Sequence, residues 1–238
     1  MTQNLCNQFN RILLGTIVLA TSLAAQSSDT TSEAWQKLKV FVKLNENTRL
    51  YGLYSATKQE DLGAYADGQT GLHIDFYGVR PLWRPPIEYV DKSKSKFLML
   101  RAGYLYSRPK NNSGSQTENM VDLEATARAH LWSELQLIER NRFDLRWEDG
   151  APRHRYRNRL KVERRFRKGK LELTPYAYGE VFYDLRKLEW NRFRYAAGSE
   201  WTVQKWLVLE GYYLRQNTWG SKPQFVNVLG VTLQVYIR

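Results

Sequence analysis

The chain has one cysteine in 238 residues, and that cysteine, Cys6, precedes the first apolar run. A lone thiol forms no internal disulfide. A Cys6 that leaves with a leader also takes thiol catalysis and thiolate metal binding out of the mature protein. Long hydrophobic runs are missing too: nothing approaches the eighteen or so apolar residues of a transmembrane helix. Histidine is scarce, with three residues, and none stands in an HExxH or comparable zinc spacing. No serine-centred elbow, phosphate-binding glycine loop or dinucleotide fingerprint appears either. The expectation is therefore no catalytic residue, no metal, no cofactor and no enzyme.

What the chain does have is a period of two. Leu171, Leu173, Pro175, Ala177, Gly179, Val181 and Tyr183 alternate with Glu172, Thr174, Tyr176, Tyr178, Glu180, Phe182 and Asp184. Phe193, Tyr195, Ala197 and Trp201 then alternate with Arg192, Arg194, Glu200 and Thr202. This is the strand period, with one apolar and one charged face. Arginines interleaved with glutamates on strand after strand fit a transmembrane barrel with lipid outside and a polar interior. The fold class expected is all-β, an antiparallel up-and-down transmembrane β-barrel. A soluble lipocalin-like barrel alternates in the same way, with its apolar face inward. Tyr104, Tyr106, Tyr183, Trp201 and Tyr213 at strand ends favour lipid.

Residues 1–25 read as a signal peptide: Arg11, the apolar run Ile12–Ala20, and small residues before a cleavage point near Ala24 or Ala25. A retained amphipathic anchor is the alternative. Residues 26–46 are expected to form a periplasmic lead-in and residues 47–238 the barrel. Taking Thr48–Thr57 as the first membrane strand gives about ten strands, with both termini on the periplasmic side. Twelve is the alternative, if a hairpin has been merged. Counting Trp35–Leu44 gives eleven, an odd number unusual for a bacterial single-chain barrel. Residues 80–96 carry three prolines and break the alternation. Between Trp132 and Asn141 the turn has no clear position, because continuing the period sends Glu139 to the lipid face.

The formal net charge is +12, but the charges are spread through strands and mixed with acids. That distribution, with aromatics on the apolar face, argues against nucleic acid. The candidate salt-bridge network of the lumen comprises Arg142, Arg146, Arg155, Arg157, Arg159, Glu163, Glu172, Glu180, Arg192, Arg194 and Glu200. A barrel of about ten strands is only slightly wider than one that side chains fill. A largely closed, salt-bridged lumen is the expectation, and a narrow anion-leaning pore the alternative. A hydrolase at the loop rim would need a histidine beside a carboxylate; His154 near Asp149, and His73 near Asp75, are the pairs available. The partners expected are outer-membrane lipid and an unidentified ligand of the external loops, with the chain itself a monomer.

The motifs GYLYSRP (103–109), RNRFDLRWE (140–148), RYRNRLKVE (155–163), PYAYGEVFYD (175–184), NRFRYAAG (191–198) and LEGYYLRQ (209–216) occur in that order. In them the chain resembles an uncharacterised family of bacterial outer-membrane β-barrel proteins, catalogued as a domain of unknown function, DUF2490. The resemblance covers most of the mature chain. It implies a barrel in the outer membrane of a Gram-negative bacterium, and no activity. The ending Tyr236-Ile237-Arg238 departs from the terminal aromatic usual in outer-membrane chains.

Overall fold

The structure, a computed structural model, describes residues 30–59, 65–79, 89–108, 110–111, 114–115, 117–131, 134–169, 171–219 and 224–237. The leader, the cleavage point and parts of four long connections (residues 60–64, 80–88, within 109–116, and 220–223) lie outside the described residues. Eleven strands build the wall: β1 (Thr30–Lys43), β2 (Thr48–Gln59), β3 (Tyr65–Val79), β4 (Leu98–Ser107), β5 (Glu118–His130), β6 (Leu135–Glu148), β7 (Arg155–Arg164), β8 (Leu171–Asp184), β9 (Glu189–Gln204), β10 (Leu207–Thr218) and β11 (Gln224–Ile237). Each pairs antiparallel with the next. Strand β11 lies beside β1, so the sheet closes on itself. Closure removes the unpaired edges that an open sheet would present. Asp149 and Gly150, with φ of 48° and 83°, make the tight turn after β6, the Asp-Gly pair favoured where a hairpin needs positive φ.

The pleat sends alternate side chains to opposite faces, and the two faces are chemically inverted relative to a soluble protein. Leu72, Ile74 and Phe76 of β3 are about half exposed, and Leu229 of β11 is 69% exposed. Asp75, Asp122 and Asp144 are fully buried and Glu180 is 1% exposed. Apolar wall outside and carboxylates inside make this a membrane barrel and rule out the lipocalin-like arrangement. Among the described residues no helix is long and apolar enough to span a membrane.

The wall corrects the expected strand count and the expected lead-in. Instead of a lead-in over residues 26–46, Thr30–Lys43 is the first strand of the barrel, in register with β2 from Glu33↔Gln59 to Lys43↔Arg49. The ten strands expected are all present, and β1 makes eleven. Its inward face carries Trp35, Lys37, Lys39 and Phe41, and its outward face Leu38, Val40 and Val42, so it has the same two-sided chemistry as the rest. Ten successive antiparallel steps leave β11 running in the same direction as β1, and the closing seam is parallel. The first and last strands thus begin at the same rim, and the chain enters and leaves the wall at opposite rims. The expectation of both termini on one side does not hold.

A stack of rings crosses that seam. Tyr236 of β11, Phe41 of β1, Tyr51 of β2 and His73 of β3 lie face to face, with centroids 4.8, 4.8 and 4.7 Å apart. The Arg49 and Arg101 guanidiniums cap Phe41 and Tyr51, each 4.2 Å from the ring centroid. The His73 ring can lie flat on the wall because Gly103 faces it: a Cβ there would sit 1.9 Å from His73 Cδ2. Gly230 makes the same room for Tyr212.

Candidate functional site

Strand register puts the charged residues in rows across the inner wall. Arg49, Asp75 and Arg101 are directly opposed on β2, β3 and β4. Asp75 therefore takes Arg49 Nε at 2.7 Å and Arg101 Nε at 2.6 Å. The row continues through Glu124 of β5 to Arg142 of β6. The neighbouring row runs Thr126, Arg140, Arg159, Glu180, Arg194. Glu180 holds three guanidiniums at once: Arg140 at 2.5 Å, Arg157 at 2.9 Å and Arg159 at 3.0 Å. Such charge-assisted bonds satisfy buried carboxylates that would otherwise be costly.

Of the eleven candidates from the sequence, nine stand in ion pairs. Arg142 and Arg155 meet Asp144, each at 2.5 Å, and Arg157 bridges Asp144 and Glu180. Arg146 joins Glu118 and Glu148, and Glu172 takes Arg165 at 2.6 Å. Glu163 pairs with Lys161 at 2.7 Å, and Glu200 with Lys94 at 2.7 Å. Arg192 and Arg194 are the other two. Neither has a carboxylate within 4.0 Å among the described residues. Instead their guanidiniums lie 5.5 and 4.8 Å from the Phe182 ring, which also receives Arg155 and Arg157. Arg194 donates from Nε to Gln216 at 2.6 Å.

The proline-rich connection between β3 and β4 supplies what the alternation could not show. Its last part, from Tyr89, lies inside the barrel, with a single 3₁₀ turn at Lys92–Ser95. Lys94 projects between Glu163 of β7 and Glu200 of β9, at 3.0 and 2.7 Å. Gln136 of β6 donates to the Lys94 carbonyl at 2.9 Å. Asp91 caps the turn by accepting the Ser93 N–H and binds Arg49 Nη1 at 2.6 Å. Burial alone disfavours the charge on Asp91, but Arg49, with Arg128 beyond it, holds the carboxyl well below its usual range. Burial likewise opposes the Lys94 charge, and Glu163 and Glu200 hold its amine above the usual lysine range. The segment is a short plug, tethered to four strands. Wall and plug leave a cavity of about 190 Å³ near the middle of the lumen.

The two histidine pairs considered for hydrolysis are not assembled. His73 Nε2 faces Asp122 Oδ1 at 3.0 Å rather than Asp75. His154 Nδ1 accepts the Arg146 backbone N–H at 3.2 Å, while Asp149 accepts from Thr117. Among the described residues no cluster of metal-ligating side chains occurs.

Glu139 does face outward. The turn that the sequence left open lies between β5 and β6, so Leu135, Leu137, Glu139 and Asn141 all sit on the outer wall. Asn158 of β7 donates to Glu139 at 3.1 Å and to Asn141 at 2.9 Å, and the Tyr156 hydroxyl bonds Asn141. Exposed Leu160 and Phe143 flank this cluster, so a carboxylate stands within the apolar belt. A lipid-facing glutamate costs less than the roughly 2–4 kcal/mol of a lysine at the bilayer midplane, and its removal also forfeits the Asn158 bond. Glu139→Leu is therefore expected to stabilise the lipid-embedded barrel by about 1 kcal/mol. Urea unfolding in vesicles would measure this, and a destabilised variant would contradict lipid exposure of Glu139.

The solved structures similar to the chain include two outer-membrane proteins. The β domain of the Bordetella autotransporter BrkA shares 15% identity, with 77% of this chain and 81% of that chain covered and a TM-score of 0.43. The loop L8 deletion mutant of OmpT, an outer membrane protein of Vibrio cholerae, shares 10% identity, with 73% and 82% covered and a TM-score of 0.30. No curated protein matches the chain. A family model described as a protein of unknown function, DUF2490, matches residues 32–227. That span takes in the wall from β1 into β11, and the chain belongs to the DUF2490 family.

Proposed function

We propose that the protein resides in the outer membrane of a Gram-negative cell as a closed, non-conducting barrel, with a structural or interaction role. The observation that carries this reading is the seating of Lys94 between Glu163 and Glu200. A connection that folds into the lumen and is held there by ion pairs on both flanks obstructs the path that a pore would need. The leader-like N-terminus and the family membership support the location. The paired interior supports a non-enzymatic role, since its carboxylates and histidines are committed to neighbouring strands.

One observation favours the anion-leaning pore as a second reading. Arg192 and Arg194 present guanidiniums around Phe182 with no carboxylate partner among the described residues, and rings of such side chains select anions where a lumen is open. Planar-bilayer recording of the refolded protein separates the two. The closed barrel is expected to give no discrete steps at moderate voltage; reproducible anion-selective steps would replace it with the pore.

A further inference from the structure

The lumen cavity is lined by eight cationic and five carboxylate side chains, and with Asp75 and Glu180, which pair with four of those cations, one positive charge is left over. Seven of the eight cations have a carboxylate within 4.0 Å. Arg49 and Arg101 share Asp75, Arg140 and Arg159 share Glu180, Lys94 and Lys161 share Glu163, and Lys39 reaches Glu210. Arg128 has none. It is 7% exposed, and its Nε and Nη1 lack any hydrogen-bond partner among the described residues. Its Nη2 has only the Met99 sulfur, at 4.0 Å, and a thioether is a weak acceptor.

The register explains the vacancy. Residue 128 of β5 is opposed on β6 by Ile138, an apolar side chain, where the neighbouring rows put a partner. The nearest acids are taken: Asp91 by Arg49, and Glu163 by Lys94 and Lys161. A desolvated, unpaired ion is among the costliest features a fold can carry. Here it faces a cavity several times the roughly 30 Å³ share of one water molecule. Guanidinium geometry matches the oxygens of carboxylates and phosphates.

From these observations we infer that the cavity beside Arg128 is a binding site for a small oxyanion, a phosphate or short carboxylate that enters as a free solute and completes the charge balance of the lumen. Arg128 is the anchor, and Arg140 and Arg159 line the same cavity. Strands wall off the site, so a lipid headgroup does not reach it. The inference rests on the enclosed lumen proposed above. The test is read without voltage, so its failure is distinct from a conducting trace, which would overturn enclosure alone.

The test is thermal unfolding of the full chain in detergent, titrated with inorganic phosphate and separately with succinate, against sodium chloride at matched ionic strength. The expected result is a saturating rise in Tm for one of them, about 5–10 °C at a hundredfold excess over Kd. The rise is absent in Arg128→Gln, and Arg128→Gln without ligand melts above the ligand-free wild type because an unpaired buried charge is gone. Should the glutamine variant fail to fold, Arg128→Lys serves: it keeps the charge, loses the planar fork, and is expected to shift the titration midpoint at least tenfold. No saturable rise over chloride in the wild type, or an equal rise in either variant, would overturn the site and leave a hydrated arginine only.

Discussion

Glu180→Leu is expected to lower the melting midpoint of the barrel by 10 °C or more, the largest loss from any single wall side chain. One carboxylate holds Arg140, Arg157 and Arg159, and all three are at least partly withdrawn from water. Breaking a buried ionic cluster by removing one partner costs about 3–5 kcal/mol, because the remaining charges stay desolvated and unpaired. For a chain of this length about 1 kcal/mol corresponds to roughly 2–4 °C. The measurement is the temperature at which the folded band gives way to the unfolded one on a gel. Glu180→Leu with Arg157→Met is expected to recover part of the loss, since one stranded charge goes with its partner. A Glu180→Leu midpoint within about 2 °C of wild type would mean that the register between β7, β8 and the neighbouring row is wrong.

Replacing Asp91–Lys96 by a short glycine–serine linker is expected to turn a silent barrel into a conducting one. The excision removes Lys94 from between Glu163 and Glu200 and frees Arg49 from Asp91. It also removes three lysines against one aspartate, so the opened path is less basic at that end, while the Phe182 arginines remain. The wall should survive, because none of its strand pairings involves these residues. Planar-bilayer recording would show discrete steps absent from the wild type. Continued silence of a folded excision variant would mean that wall side chains alone close the lumen, and that the plug is not the obstruction.

Much of this architecture was legible because one physical rule, alternate side chains to alternate faces, governs the whole wall. Leu229, Val231, Leu233, Val235 and Ile237 announce β11 without help from any other part of the chain. The inward orientation of Glu180, Arg157 and Arg159 follows from the same rule. Four things did not follow from it. Strand β1 has the right alternation, but the even strand count usual in bacterial barrels argues against it; only closure against β11 decides its place. Glu139 breaks the pattern because Asn158 and Asn141 solvate it on the outer wall, and such a partnership across strands has no period. Lys94 comes from a connection, where neither period nor propensity indicates which side chain will enter the lumen. Arg128 alternates with Ala127 and Ala129 and so faces inward, yet its lack of a partner depends on Ile138 being its neighbour.

The parallel seam bears on the order in which the molecule assembles. Every other pairing in the wall joins strands adjacent along the chain, so it can form hairpin by hairpin with a local loop to close. The seam alone joins opposite ends of the domain, and it must wait until ten strands are in place. Until then the growing sheet carries two bare edges, β1 and β11, each able to recruit a foreign strand. The ring stack from Tyr236 to His73 is therefore a latch closed last, and the line along which a stressed barrel would first unzip.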